Sequence, residues 1–290
     1  MTELLFGLNV STSAASDADP VRDALLAEAL GFDFVSASDH PCGTRPTIET
    51  WTMLSWIAAR TSRIKVASRV LGVPYRPPAM VAKMAESLNR LSGERLILGL
   101  GGGYSDDEFR AFGLRVPSAR DKVDGLEEAV SIIRGLWSEP GFTFSGRLYG
   151  TEAAELEPKP EHRIPIWLGT FGERALALTG RLADGWIPSY ELAPPERVVG
   201  MRKRVLRAAH EVGREPEEIT CVYNMEIRVD ERAESRPDGV SGSPEVVADR
   251  LCSFVKLGFT AMNFIPRGPG AEEQIERLAK EVIPAVRVMA

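Results

Sequence analysis

The stretch DPVRDALLAEALGFDFVSASDHP, residues 19–41, contains the pattern on which the fold depends. Asp19 and Pro20 are typical of the N-cap and first turn of a helix, and Gly31 is typical of a helix end. Residues 32–38 then form a run of apolar, aromatic and β-branched side chains, which predicts a buried strand. Small polar residues and a histidine stand at the end of the strand, so the strand end differs from the apolar core in polarity.

Similar strand-like runs alternate with helical patterns along the chain. The predicted strands are residues 4–10, 32–38, 64–71, 95–101, 164–169, 185–189, 219–229 and 259–265. About eight strand–helix units in a chain of this length predict an α/β fold, a (β/α)8 TIM barrel with short insertions at the carboxyl ends of the strands. We expect one such domain over residues 1–290. A doubly wound sheet is the main alternative, but no GxGxxG motif follows the first strand.

Three other segments have their own predictions. Residues 142–150 alternate like a surface hairpin, and the polar segment 230–243 contains Gly and Pro, which predicts a mobile loop. Residues 272–286 have the pattern of a final helix.

The charge balance limits the classes of partner. The chain has 35 basic and 41 acidic residues, a net charge of −6, and no electrostatic footprint for nucleic acid. Because no basic amphipathic or membrane-spanning run is evident, we expect no membrane partner. Three widely spaced cysteines without a CxxC pair indicate neither a disulfide framework nor a zinc site. The absence of a signal-peptide pattern leads us to expect a cytoplasmic protein.

Active sites of barrels lie at the carboxyl ends of the strands, so polar residues there are candidates for function. Asp39 and His40 follow the second strand. A carboxylate beside an imidazole holds one tautomer and raises the imidazole pKa, which suits acid–base chemistry. A loop histidine that only bonds to backbone is the alternative. Metal binding is a weaker hypothesis, because His162 and His210 are distant and no HxxxH pattern exists.

Two glycine-containing turns are candidates for ligand contact. In GLGGGYSDDEF, residues 99–109, the glycines allow a flat ligand to approach the backbone closely, and no Walker motif is present. In LGTFGERALAL, residues 168–178, a strand, a small turn and a helix N-terminus follow one another. That geometry binds phosphate through amide groups and the helix dipole, and a plain turn is the alternative.

Together these segments resemble the bacterial luciferase-like family of flavin- and deazaflavin-dependent oxidoreductases. The resemblance covers nearly the whole chain and is carried by ALGFDFVSASDHP, RTSRIKVASRVLGVPYRPP, RLSGERLILGLGGGYSDDEFRAFG, IPIWLGTFGERALALTGRLADGWIPS and GSPEVVADRLCSFVKLGF. It implies a TIM barrel whose strand ends hold an isoalloxazine-type ring.

The resemblance also implies roles for particular residues. A bulge in the third strand, which in this family often contains a non-proline cis peptide, backs the ring and maps to Ser68, Arg69 and Val70. Asp39 and His40 match an Asp-His pair of deazaflavin-dependent members, and Glu108 lies where some members have a second acid. The implied catalytic residues are His40, Asp39 and Glu108. The implied cofactor-binding residues are Asp39, Ser68, Arg69, Val70, Gly102, Gly103, Gly169, Thr170, Phe171 and Gly172, with the phosphate at the last four.

The sequence departs from the sugar-phosphate dehydrogenase branch of the family at one position. Members of that branch have an active-site Trp shortly after the Asp-His pair, whereas in this chain that position falls near Thr44 and the nearest tryptophan is Trp51. The departure argues against a sugar-phosphate substrate.

The resemblance therefore leads us to expect an oxidoreductase that transfers a hydride between coenzyme F420 and a small organic substrate. An FMN-dependent monooxygenase on the same barrel is the first alternative, and a non-catalytic flavin-binding barrel is the second. We expect a homodimer and no metal site.

Overall fold

The structure is a computed structural model, and it describes residues 4–232, 238–268 and 270–289. The strands are β1 Leu5–Asn9, β2 Phe34–Ala37, β3 Lys65–Ser68, β4 Leu71–Gly72, β5 Leu96–Gly101, β6 Phe142–Ser145, β7 Gly150–Ala154, β8 Ile166–Leu168, β9 Gly185–Trp186, β10 Thr220–Val229, β11 Gly239–Gly242 and β12 Ala261–Pro266. The α-helices are α1 Pro20–Ala29, α2 Thr50–Arg60, α3 Pro78–Leu91, α4 Asp106–Ala111, α5 Ala119–Ser138, α6 Glu173–Leu182, α7 Pro195–His210, α8 Pro244–Lys256, α9 Ala271–Arg277 and α10 Ile283–Met289.

Parallel strands close into a barrel in the described part of the chain. Around the barrel the order is β12, β1, β2, β3 with β4, β5, β8, β9 and β10, and β10 pairs with β12 to close it. Helices connect the successive strands, as the right-handed crossovers of a parallel sheet require. This arrangement confirms the predicted (β/α)8 TIM barrel.

Bulky side chains fill the barrel interior where facing residues are small. Phe34 and Trp167 meet edge to face with ring centroids 5.3 Å apart. A Cβ added at Gly7 would lie 2.1 Å from the Phe34 ring, and one at Gly185 would lie 2.3 Å from Trp167. The two glycines therefore leave the space that the two large rings occupy. The rings fill the barrel interior beneath the carboxyl ends of the strands.

Several connections differ from the prediction. The predicted loop over 230–243 is wrong at Gly239–Gly242, which forms β11 and pairs with β10, while residues 233–237 of that loop lie outside the described residues. The predicted third strand is interrupted after Ser68, and the predicted final helix contains a π-helical turn at Leu278–Val282. The predicted hairpin is confirmed as the antiparallel pair β6–β7.

Short segments lie at the carboxyl ends of the strands, as predicted. Helix α4 follows β5, and Ser105 caps its first turn by accepting a hydrogen bond from the Glu108 amide at 3.4 Å. Residues 38–49 form the connection after β2. These two segments bring His40 and Glu108 to the same side of the barrel mouth.

Candidate active site

A cavity of about 820 Å³ opens at the carboxyl ends of the barrel strands. Its walls come from loops after most of the barrel strands, including residues 38–40, 69, 70, 72, 101–104, 187, 189–192, 265 and 267. A pocket of this size at this end of a barrel is where a small molecule and its cofactor bind.

The bulge between β3 and β4 forms part of the cavity wall. The peptide bond between Arg69 and Val70 is cis, as the resemblance implied for this position. Cβ atoms added at Gly101 and Gly169 would lie 2.7 and 3.1 Å from Val70 Cγ2, and one at Gly99 would lie 3.2 Å from Val70 Cγ1. The three glycines therefore leave the room in which the Val70 side chain projects across the barrel mouth.

Ser68 faces the barrel wall. Its hydroxyl donates to the Gly99 carbonyl and accepts from the Gly99 amide, both at 2.9 Å, and the side chain is buried. The residue does not line the cavity. Its contact with a cofactor stays a prediction, and its visible contribution is to join β3 to β5.

The glycines after β5 are close to other backbone. A Cβ at Gly102 would lie 2.8 Å from the Lys122 carbonyl oxygen, and Gly103 has a φ of +90° with Phe109 2.4 Å from an added Cβ. Only glycine fits these two positions without displacement of neighbours. Both glycines line the cavity, so a ligand at this wall would meet backbone atoms and no side chain at these two positions.

His40 forms one end of a hydrogen-bonded group of three side chains at the cavity edge. Glu108 Oε1 lies 2.9 Å from His40 Nδ1, and Glu108 Oε2 accepts from the Tyr75 hydroxyl at 2.6 Å. An ionised carboxylate only accepts, so the Nδ1 proton points to Glu108 and Nε2 is left for other chemistry. Burial, followed by the Glu108 carboxylate, raises the pKa of Tyr75 well above its usual value, so the phenol remains a donor.

Asp39 belongs to a different group. Its carboxylate accepts two hydrogen bonds from Arg76, at 2.8 and 3.0 Å, and one from the Gly72 amide at 3.0 Å. The side chain is 1% exposed. The sequence-based prediction that Asp39 orients the His40 imidazole is therefore wrong: Glu108 does so, because α4 carries it to the histidine while Asp39 turns into the wall.

Of the predicted phosphate turn, residues 169–172, some residues line the cavity and one is buried in the wall. Gly169 and Phe171 line the cavity. Thr170 is buried, with its hydroxyl 2.7 Å from the Thr179 hydroxyl, so its side chain faces away from the cavity. Gly172 is the N-cap of α6, without a side-chain capping bond and with no atom within 4 Å of an added Cβ. The first amides of α6 are therefore open to a ligand.

Two asparagines that the sequence reasoning missed, Asn224 and Asn263, belong to a chain of hydrogen-bonded polar side chains. Ser36 donates to Asn263 at 2.9 Å, Asn263 to Asn224 at 2.7 Å, and Asn224 to the Ser189 hydroxyl at 3.0 Å. Asn224 and Ser189 reach the cavity. The signal was available, because an asparagine inside an otherwise apolar strand needs a buried partner.

Two further features, a metal centre and a membrane-spanning helix, are absent from the described residues. No three His, Cys, Asp or Glu side chains in residues 4–232, 238–268 and 270–289 come together as metal ligands would. Within the same ranges, no helix combines the length and apolar character needed to cross a bilayer.

Residues 5–240 match the family model of the luciferase-like monooxygenases. The chain belongs to the luciferase-like monooxygenase family. This confirms the resemblance found in the sequence and the prediction that the chain is an enzyme.

Individual relatives agree with the family match. An F420-dependent glucose-6-phosphate dehydrogenase of Microbacterium testaceum is 26% identical, over 98% of each chain. A protein of the same name from Nakamurella multipartita is 30% identical, over 78% of this chain and 68% of that protein. Their names agree with the predicted oxidoreductase and with the predicted cofactor, coenzyme F420.

A solved structure supports the fold. An F420-dependent secondary alcohol dehydrogenase in complex with an F420–acetone adduct superposes with a TM-score of 0.88 at 20% identity, covering 98% of this chain and 99% of that one. At this identity the likeness concerns the barrel itself.

Proposed function

We propose that the protein is an oxidoreductase that transfers a hydride between coenzyme F420 and a small organic substrate. One observation carries the proposal: a single cavity joins the glycine-lined wall beside Val70 to the His40–Glu108 pair. The wall suits a flat ring, and the pair suits proton transfer next to it. The names of the relatives supply the identity of the cofactor.

The cavity fits the ring of such a cofactor. Gly101, Gly102, Gly103 and Gly169 present backbone where side chains would fill the space, and Val70 projects between them. These residues would hold the ring by van der Waals contact on one face. Bound there, coenzyme F420 supplies the hydride chemistry, which no side chain of the protein provides.

The N-terminus of α6 fits the cofactor phosphate. The helix has ten residues, its N-cap Gly172 provides no capping side chain, and Phe171 beside it lines the cavity. Exposed first-turn amides and the helix dipole favour an anion at this point. The predicted site at residues 169–172 therefore remains part of the proposal, with Thr170 in a supporting position inside the wall.

His40 is the proposed proton donor or acceptor. Its side chain is 48% exposed at the cavity edge, and Glu108 holds its Nδ1. Nε2 is therefore the atom that exchanges a proton with the substrate, and Glu108 stabilises the charged imidazolium when it forms. Tyr75 completes the group by fixing the Glu108 carboxylate.

The residues that line the cavity bear on the class of substrate. The names of the relatives say that they act on glucose-6-phosphate. In this chain the position of that branch's tryptophan falls near Thr44, and the nearest tryptophan, Trp51, is buried on α2 and does not line the cavity. We therefore propose a small organic substrate other than a sugar phosphate of that type.

Titration of the purified protein with F420 and with FMN tests the cofactor. Binding of each is followed by fluorescence, and we expect F420 to bind more tightly. The reduced F420 complex should react slowly with oxygen, because a deazaflavin is a hydride carrier that reacts poorly with oxygen. Tighter FMN binding together with rapid oxygen uptake would favour an FMN-dependent monooxygenase, which the name of the family model supports. Tight F420 binding without turnover of any substrate would favour a non-catalytic barrel.

Assembly and location are further parts of the proposal. We infer a single barrel domain over residues 1–290, a homodimer, a cytoplasmic location and a small-molecule partner without nucleic acid or membrane. Exposed apolar side chains on α2 and α3, Trp56, Met80 and Leu91, support a protein contact there. Light scattering after size-exclusion chromatography gives the mass, and Trp56→Glu is expected to shift it to the monomer.

A further inference from the structure

Arg69 has hydrogen-bond donors that no described residue uses. The guanidinium carries five N–H groups. Among the described residues only the Nε–H has a partner, Asn9 Oδ1 at 2.8 Å. Asn9 itself donates to the Val10 carbonyl at 3.2 Å, which sets its amide oxygen towards the arginine. The four N–H groups on the Nη atoms remain, and Arg69 lines the cavity.

No carboxylate in the described part of the chain neutralises this arginine. Asp39 is bound by Arg76 and the Gly72 amide, and Glu226 by Arg267. Such pairing is the usual way in which a protein stabilises a charge taken from water. Arg69 therefore lines the barrel mouth without a carboxylate partner among the described residues, and a second arginine, Arg267, lines the same cavity.

The surroundings of Arg69 favour an anion. Burial, and to a smaller extent the guanidinium of Arg267, lower its pKa to about 10, so it is still charged at neutral pH. Both arginines line the same cavity. An anion placed between two such groups would relieve their repulsion and use the unpaired donors.

The position of Arg69 separates it from the cofactor wall. The side chain leaves the bulge after β3 and reaches Asn9 at the end of β1, and Arg267 follows β12. The strands β12, β1 and β2 are neighbours in the barrel, whereas the glycine wall belongs to β5 and the end of β8. The cavity thus has a glycine side and an arginine side.

We propose that Arg69 binds an oxyanion group of the substrate, a carboxylate or a phosphate, on the arginine side of the cavity. This inference rests on the proposed function, since it gives the substrate class for the same site. The planar fork of an arginine pairs with two oxygens of such a group at once, which a lysine does not do. The oxyanion fixes the substrate while the glycine side holds the cofactor.

Binding of simple probes to the full-length chain tests the proposal. Dissociation constants for butyrate, inorganic phosphate and the neutral butyramide are measured by ligand-observed NMR, with and without F420, at constant ionic strength. We expect butyrate or phosphate to bind more tightly than butyramide. The order of butyrate and phosphate tells which oxyanion the site prefers.

Three variants assign the binding to Arg69. We expect Arg69→Met to weaken oxyanion binding by about 10-fold or more, because charge-assisted hydrogen bonds are lost, and Arg69→Lys to lie between Met and wild type. The matched control is Arg197→Met, another cavity-lining arginine, which is exposed on α7. An equal loss in Arg197→Met, or unchanged binding in Arg69→Met, overturns the proposal.

The Asn9→Asp variant tests oxyanion binding by Arg69 while the arginine is still present. An aspartate at residue 9 supplies an internal carboxylate 2.8 Å from Arg69 Nε. We expect a higher melting temperature and weaker oxyanion binding, because the new carboxylate competes with the probe. Unchanged probe affinity in a folded Asn9→Asp protein overturns the proposal, also where Arg69→Met fails to fold.

F420 titrations of the same samples separate this inference from the proposed function. If wild type binds butyrate or phosphate but not F420, the proposed function fails and the oxyanion site stands. If Arg69→Met weakens F420 binding and leaves the probes unaffected, the arginine holds the cofactor, and the substrate assignment is overturned.

Discussion

Asp39 and His40 are neighbours in the chain and belong to two different regions of the molecule. Asp39 is 1% exposed and is held by Arg76 and the Gly72 amide, whereas His40 is 48% exposed at the cavity edge and is held by Glu108. One residue therefore ties the loop after β2 to the bulge region, and the other faces the cavity. The difference shows that adjacency in a loop does not make two residues one functional unit.

The largest expected effect concerns the exposed member. His40→Ala should lower turnover by about 10²–10⁴-fold, the usual contribution of a general acid or base, with little change in F420 affinity. Steady-state kinetics and fluorescence titration measure the two quantities. Glu108→Gln keeps an acceptor for the imidazole but removes the charge, so its turnover should lie between those of wild type and His40→Ala. Equal turnover in wild type and His40→Ala would remove the histidine from the mechanism.

Asp39→Asn tests the buried member. Removal of its charge weakens the bidentate contact with Arg76 and should lower the free energy of unfolding by about 2 kcal/mol. Denaturant unfolding measures this loss. Turnover per folded molecule should fall much less than in His40→Ala. A stable Asp39→Asn protein with turnover as low as that of His40→Ala would mean that the two residues act together after all.

Gly172→Asp extends the comparison to the proposed phosphate site. A side chain fits there, since no atom lies within 4 Å of an added Cβ, and an aspartate N-cap favours α6. We expect unchanged or higher thermal stability and about 10-fold weaker F420 binding, because a carboxylate would face the phosphate. Gly172→Asn, a neutral N-cap, is the control. Normal F420 affinity in the aspartate variant would move the phosphate to another place, with Gly101–Gly103 as the next candidate.

The smallest expected effect concerns Glu49, the second carboxylate on Arg76. Burial raises the pKa of Glu49, but hydrogen bonds from Thr52, Trp51 and Arg76 outweigh it and the net pKa is lowered. A lowered pKa contributes stability above the unfolded value of 4.5 that is lost as the pH falls through the folded value. Because Glu49 is half exposed, Glu49→Gln should lower the free energy of unfolding at pH 7 by only about 0.5 kcal/mol. Between pH 7 and pH 3, the melting temperature of the variant should fall less than that of wild type. If Glu49→Gln lowered the free energy of unfolding as much as Asp39→Asn does, the exposed partner of Arg76 would matter as much as the buried one, which would contradict this prediction.

Several features of the site followed from the residues. The polar ends of buried strands placed Asp39 and His40 at the barrel mouth, the glycines at 101–103 indicated close approach of a ligand, and the turn that begins at Gly169 indicated a phosphate site. The third-strand bulge and Glu108 came from the resemblance. The partners of these residues were not predictable, because Glu108 is separated from His40 by 68 positions and meets it only through the placement of α4.

The sequence by itself determined the alternation of strands and helices, because apolar periodicity and capping residues act over a few neighbouring positions. It also marked the strand ends as the functional side of the barrel. Tertiary structure decided which carboxylate holds His40, that Asp39 turns to Arg76, and that Arg69 lies beside Asn9 with no acid paired to it in the described part of the chain. These pairings depend on closure of the barrel, which brings the ends of distant strands within hydrogen-bonding distance, and no local pattern encodes that distance.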